Sequence, residues 1–153
     1  MKAGMAYTLD KIPEWVSKYI GIPFKDLGRT KTGCDCWGLV RLILAEKMNI
    51  FLPSFAEDYL AEHNTTKVKQ LIEEQKNYRW IKTEDPEAFD VAEMILPVNV
   101  DGKYSFVPVH VGILVNKHFL LHTNRIVGSH IVSTNKNKQV VGYWRYNASS
   151  KCM

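Results

Sequence analysis

The chain has 153 residues, 46% hydrophobic and 24% charged, and its 20 basic against 16 acidic residues leave a formal charge of +4. That length supports one hydrophobic core without disulfide staples, and the composition is that of a globular protein. The lysines and arginines cluster only in "NKNK" near Asn135, too sparsely for a nucleic-acid surface; no run approaches the ~20 apolar residues of a membrane span; and "MKAGMAYTLDKIPEW" lacks the apolar core of a secretory signal.

Asp10 is placed to cap a short helix carrying Ile12, Trp15, Val16 and Tyr19, with Pro13 in its first turn. "GIPFKDLGRTKTG" reads as a loop punctuated by Gly21, Pro23, Gly28 and Gly33. The helix that opens at Cys36 is apolar almost all round until Glu46 and Lys47, which predicts burial, and "FLPSF" breaks it. Two polar helices follow, over 56–63 and 65–77. From Arg79 the texture changes to short β-rich runs: "YRWIK", "DVAEMILPV", "KYSFVPVHVGILV", "HFLLH", "SHIVS" and "QVVGYWRY", with "NVDG" and "NKH" as hairpin turns. Helices first and an antiparallel sheet second predict an α+β fold, with one central helix against the sheet.

Three cysteines are present. Cys34 and Cys36 are too close for an ordinary disulfide, and Cys152 lies in the "SSKCM" tail, so at least one thiol is free. At the start of a helix the Cys36 sulfur meets outward-pointing N–H groups and the positive dipole end, which favour thiolate. The same N–H groups are donors for an oxyanion. The competing reading is a small buried hydrophobe, the ordinary fate of a free cysteine.

A base for that thiol must come from His63, His110, His118, His122 or His130. In "VPVHVGILVNKHFLLH", His110, Gly112 and Leu114 alternate with the valines and Ile113, so His110 faces away from them. A three-residue loop centred on Asn116 would pair His110 directly with His122, and one centred on Lys117 would make them diagonal neighbours. A two-residue loop would turn one of them away. Gly112 clears space on the His110 face for a substrate or for the cysteine helix. The arrangement suits a relay in which His110 deprotonates Cys36 and His122 holds the His110 ring, although each histidine is also readable as an ordinary hydrogen-bonded residue. His63 and His118 fit only that second reading; His130 is weaker than His110 as a base. A zinc site built from Cys34, Cys36, His110 and His122 fails on spacing, since C-x-C is too tight and eleven residues separate the histidines. No metal and no cofactor is expected.

These residues resemble the NlpC-type cysteine peptidases of bacterial cell walls, a papain-like family. "DCWGLV" is similar to its Asp-Cys-x-Gly-Leu/Phe-Val nucleophile motif, "HVGILV" to its His-Val-Gly-Ile strand, and "FLLH" to its Phe-Ile-His. The twelve-residue step from His110 to His122 is also that family's. "YIGIPF" and "FDVAEM" resemble its Gly-x-Pro-Tyr lead-in and its Gly-Asp-x-x-x-Phe strand. Trp37 after the cysteine, the downstream Leu-Pro-Ser and the closing "GYWRY" resemble the branch found with phage tail-assembly genes.

The resemblance implies a single peptidase domain over 1–153, with the cysteine helix packed on an antiparallel sheet of five to six strands. It implies hydrolysis of a peptidoglycan stem peptide, often the γ-D-glutamyl–diaminopimelate bond. Cys36 attacks, His110 serves as base and then acid, and His122 orients it. Asp35 meets a substrate amine or simply marks the helix start. Phe24, Trp37 and Gly112 border the substrate. Phe24 stands where many relatives carry a hydroxyl-bearing tyrosine, and a phenyl ring cannot donate. Expected partners are the peptidoglycan peptide and a phage tail hub or tail-tip protein, with no nucleic acid and no membrane insertion. The expected location is the bacterial cytoplasm during synthesis and then the virion tail, acting in the periplasm or wall. The alternative is a catalytically weak structural tail-tip module. "LPVNVDGKYSFVPV" is longer and more apolar than a minimal hairpin, which suits covering the site or meeting a partner.

Overall fold

A computed structural model of the chain describes residues 12–56 and 65–147. The expected Asp10 cap, the polar helix over 56–63, His63 and Cys152 lie outside the described residues or, for the helix, almost entirely so.

The first element departs from expectation. It is a 3₁₀ helix, Glu14–Tyr19, that begins after Pro13 rather than around it, with no side-chain cap at its start. Seven residues between Pro13 and the left-handed Gly21 (φ 82°) leave room only for tight turns of this kind. "GIPFKDLGRTKTG" is also more than a loop. It holds the two-residue strands β1 (Arg29–Thr30) and β2 (Gly33–Cys34), paired antiparallel, and Phe24 bridges to Cys34.

Helix α1, Cys36–Met48, follows directly, and Asp35 caps it. The helix stops at Asn49, which turns left-handed (φ 56°), two residues before "FLPSF" rather than at it. Leu39, Val40, Ile43 and Leu44 are fully buried. At about 1.5–3 kcal/mol for each such side chain, packing rather than helix propensity stabilises α1. The second helix, α2 (Thr65–Lys76), is polar except for a stripe containing Val68, Leu71 and Ile72.

Six strands form one sheet: β3 (Trp80–Thr83), β4 (Val91–Val100), β5 (Lys103–Asn116), β6 (Phe119–Asn124), β7 (Gly128–Ser133) and β8 (Val140–Tyr146). Their order is β3-β8-β4-β5-β6-β7, with each neighbouring pair antiparallel. Val91, Val111, Ile113, Val115 and Leu121 share a core with α1. Ala92, Met94, Leu114 and Leu120 form a separate cluster with Val132, Val140 and Tyr143, as strand alternation requires. The fold is α+β, with the cysteine helix against a six-stranded antiparallel sheet, as the sequence predicts.

The β5–β6 hairpin sets the two histidines. Its turn has two residues, Lys117 and His118, between the paired Asn116 and Phe119. A two-residue turn alone would send His110 and His122 to opposite faces. The register slips at Val115, so that Leu114 pairs with Leu120 and Ile113 with Leu121. This bulge restores the parity. Continued inward, the register places Gly112 opposite His122, with His110 its diagonal neighbour. The diagonal arrangement therefore arises from a short turn plus a bulge, not from a three-residue loop.

Candidate active site

Cys36 is the first residue of α1 and 5% exposed. Its position is fixed by the residues on either side. Asp35 Oδ1 accepts from the Gly38 N–H at 2.8 Å and from Arg29 Nη1 at 2.8 Å, and Oδ2 accepts from the Leu27 N–H at 3.2 Å. Arg29 in turn donates to the Ser54 carbonyl through Nε (3.0 Å) and Nη2 (2.7 Å). Asp35 is thus a buried helix cap with an ion-pair partner, and both of its oxygens serve internal donors. Cβ atoms are excluded nearby: one added to Gly38 would collide with the Gly28 carbonyl oxygen, and one added to Gly28 with the Gly33 carbonyl oxygen. Loop and helix meet backbone against backbone.

The two neighbouring thiols differ. Cys34 is fully buried, and its thiol is pushed up to about 12, by burial first and then by the Asp35 charge. It remains protonated and inert. Only Cys36 lies at an opening.

His110 and His122 are both buried, and His110 Nε2 lies 3.0 Å from His122 Nδ1 with the rings nearly perpendicular, at 78°. His122 is pushed down to about 3, first by burial and then by the neighbouring His110 and His130, so it stays neutral. Gly112 makes the approach possible, since a Cβ there would lie 2.7 Å from Leu120 Cδ1 and 3.1 Å from His122 Cβ. The row continues to His130, which pairs with His122 across the β6–β7 ladder, the ring centroids 4.5 Å apart. His130 Nδ1 is 2.8 Å from the Gly128 carbonyl, to which it donates as Nδ1–H. Sequence reasoning had His130 only as a weaker base, because the "SHIVS" strand shows its register to β6 only once folded. Among the described residues no three of His, Cys, Asp and Glu gather as a metal-ion site.

A cleft opens at the start of α1. Cys36, Trp37, Val68, Leu71, Val91 and Val111 line it, with about 60 Å³ of internal room. Val111, the residue after His110, lines the cleft together with Cys36, so the middle of β5 runs past the cysteine.

Residues 21–149 match the family model described as NlpC/P60 family. The chain belongs to the NlpC/P60 family. Two solved structures share its fold. One is the NlpC/p60 domain of the peptidoglycan hydrolase SagA, at 15% identity and a TM-score of 0.53, covering 92% of this chain and 97% of that one. The other is a protein similar to lipoprotein, of the NLP/P60 family, from Staphylococcus aureus. It is 21% identical with a TM-score of 0.53, and the match covers 96% of this chain but only 42% of that one. No curated protein matches the chain.

In this NlpC/P60 chain the sequence motifs sort into distinct places. Trp37 borders the cleft, and its Nε1–H donates to the Pro53 carbonyl at 2.8 Å. Arg41 Nε likewise donates to the Leu52 carbonyl at 2.8 Å. "LPS" is therefore tied to the flank of α1 by three side chains, Trp37, Arg41 and Arg29. Phe24, by contrast, lies under the Arg125 guanidinium, 4.6 Å from its ring centroid, and is not among the residues lining the cleft. The cleft wall from α2 escaped sequence reasoning, although Val68, Leu71 and Ile72 on an otherwise polar helix were its signal.

Proposed function

We propose that this chain is a cysteine peptidase that hydrolyses peptidoglycan stem peptides, with the γ-D-glutamyl–diaminopimelate bond as the favoured target. The observation that carries the reading is the buried His110–His122 hydrogen bond beside a capped helix that begins with Cys36, in a chain of the NlpC/P60 family. In this mechanism neutral His122 is the tautomer with a bare Nδ1, which accepts from His110 Nε2–H and leaves the His110 Nδ1 for the thiol. His110 takes the Cys36 proton, the thiolate attacks the amide carbonyl, and first-turn N–H groups such as that of Trp37 face the developing oxyanion. His110 then gives the proton to the leaving amine. Water attacks the thioester in the second half, releasing the acid and restoring the thiol.

The similar structure of a peptidoglycan hydrolase domain supports the substrate class by analogy. Resemblance of "DCWGLV", "LPS" and "GYWRY" to the tail-assembly branch supports a place in a phage tail or tail-derived particle that opens the wall locally. A second reading, a structural tail-tip module with weak activity, is favoured by Tyr104 and Phe106, 74% and 71% exposed on the long β4–β5 hairpin.

Mass spectrometry of muropeptides incubated with wild type and with Cys36→Ala tests the enzyme reading. Thiol-dependent cleavage that vanishes in a folded Cys36→Ala protein is expected. Equal cleavage by both proteins would end the reading, and absence of cleavage by the wild type would favour the tail-tip module.

A further inference from the structure

The cleft beside Cys36 is apolar not only in its walls but also in what its polar neighbours have left to offer. Glu93, at its inner end, accepts from Lys76 Nζ at 3.0 Å through Oε2 and from Trp144 Nε1 at 3.0 Å through Oε1. Gln75 Oε1 accepts from Trp80 Nε1 at 3.1 Å. Asp35 faces Arg29 and the helix N–H groups, and the Trp37 indole N–H is bound to Pro53. These groups close the cleft by bonding to one another. A charged or strongly polar substituent entering it would lose its water without gaining these partners, which is unfavourable. The room of about 60 Å³ is several times the roughly 10–15 Å³ that one water requires. It suits a small aliphatic group.

We propose that this cleft is a specificity pocket for an uncharged aliphatic group of about two to four carbons attached to the acyl portion that Cys36 would receive. The proposal rests on the nucleophile reading of Cys36 and deepens it. The α-carboxylate of a γ-glutamyl residue has no recognised partner in this pocket and must point elsewhere, while an alkyl side chain or a short acyl chain fits. Trp37 from α1 and Val68 from α2 both line it, so α2, a helix that carries none of the catalytic candidates, contributes to specificity.

Alkylation of Cys36 reads the pocket without requiring hydrolysis. Iodoacetamides bearing N-ethyl, N-isobutyl, N-octyl, N-carboxymethyl or N-(2-aminoethyl) groups are reacted with the full chain, and modification at Cys36 is followed by peptide mass spectrometry. Burial of a small alkyl group predicts roughly ten- to thirtyfold faster reaction for N-isobutyl than for either charged reagent. Val68→Trp, which fills the cleft, is expected to reduce that preference to less than about threefold. Val68→Ala, which enlarges it, is expected to move the optimum toward N-octyl. Melting curves identify which variants remain folded. A second arm compares peptide substrates carrying alanine, valine, glutamate or lysine on the acyl side with short-chain acyl thioesters, separating a side chain from an acyl chain as the natural occupant.

Equal rates for all reagents, or a preference unchanged in both Val68 variants, would overturn the pocket while leaving muropeptide cleavage intact. An aliphatic preference in a protein that cleaves no muropeptide would retain the pocket and overturn the peptidase reading.

Discussion

His110 Nε2 and His122 Nδ1 stand 3.0 Å apart in a site where both imidazoles are buried, and the bond joins two strands across a bulged hairpin. In the proposed relay His110 donates through Nε2–H to a bare Nδ1 of neutral His122. Replacing that acceptor tests the relay. His122→Asn retains an oxygen near the Nδ1 position and is expected to keep part of the activity. His122→Leu is expected to lower kcat by roughly a hundredfold or more with little change in KM. Steady-state kinetics on a defined muropeptide check both; equal rates in His122→Leu and wild type would remove His122 from the mechanism.

The same residue makes a pH prediction for stability. The folded value of His122 is about 3 against an ordinary 6.5, so between those limits the unfolded chain binds the proton and the folded one does not. Its contribution therefore destabilises progressively as pH falls through that window, by up to about 1.4 kcal/mol per pH unit. Above pH 6.5 it is flat. Urea unfolding of wild type at pH 7, 6, 5 and 4, set against His122→Leu, should show a shallower decline in the variant. Parallel slopes would contradict the burial argument.

Much of the site was legible in the sequence because its parts are local. Asp35 followed by an apolar run announces a capped helix, and the alternation around His110 announces its face. The association of Trp37 with Leu-Pro-Ser also has a local cause: the indole and Arg41 bond directly to the carbonyls of Pro53 and Leu52. What was not legible depended on tertiary placement. The bulge at Val115 carries no residue signature, so loop length alone misjudged how the hairpin keeps its two imidazoles together. Phe24 reads as a neighbour of the cysteine, yet its ring is drawn under Arg125 in the β6–β7 turn. The cleft is assembled from α1, α2 and four strands, a combination that no single stretch could announce.

Thiol reactivity should separate the two adjacent cysteines. Cys34 is fully buried and its thiol stays protonated, whereas Cys36 opens on the cleft. Brief treatment of the native protein with iodoacetamide near pH 7.5, followed by peptide mapping, should label Cys36 and spare Cys34. Labelling of Cys34 should appear only once the chain is unfolded in urea. Comparable labelling of both in the native state would refute the assignment.

Asp35 is expected to matter first for stability. Asp35→Ala removes the α1 cap and leaves Arg29 without its buried partner, at a cost of about 3–5 kcal/mol. Thermal unfolding should fall by roughly 8–15 °C. Asp35→Asn retains an oxygen for the Gly38 N–H and should lose less. A melting temperature within a degree or two of wild type in Asp35→Ala would show that the carboxylate is held for substrate instead.

Gly112→Ala adds a methyl where Leu120 Cδ1 is 2.7 Å and the Leu121 carbonyl oxygen 2.9 Å away. Overpacking of this kind costs about 1–3 kcal/mol, and the strands must part beneath His122 to accommodate it. Turnover should drop more steeply than the folded fraction. A variant that melts lower yet turns over normally would show that the ring pair tolerates displacement.

Where Gly38 faces the Gly28 carbonyl, the chemistry and the architecture have separate requirements. A gene copy drifting toward a purely mechanical duty is free to discard the sulfur, and with it the imidazoles, without disturbing how the lead-in segment seats on the helix. It is not free to discard either glycine. In such a lineage the paired glycines are expected to outlast the nucleophile, because the close approach of loop and helix requires them and the chemistry does not.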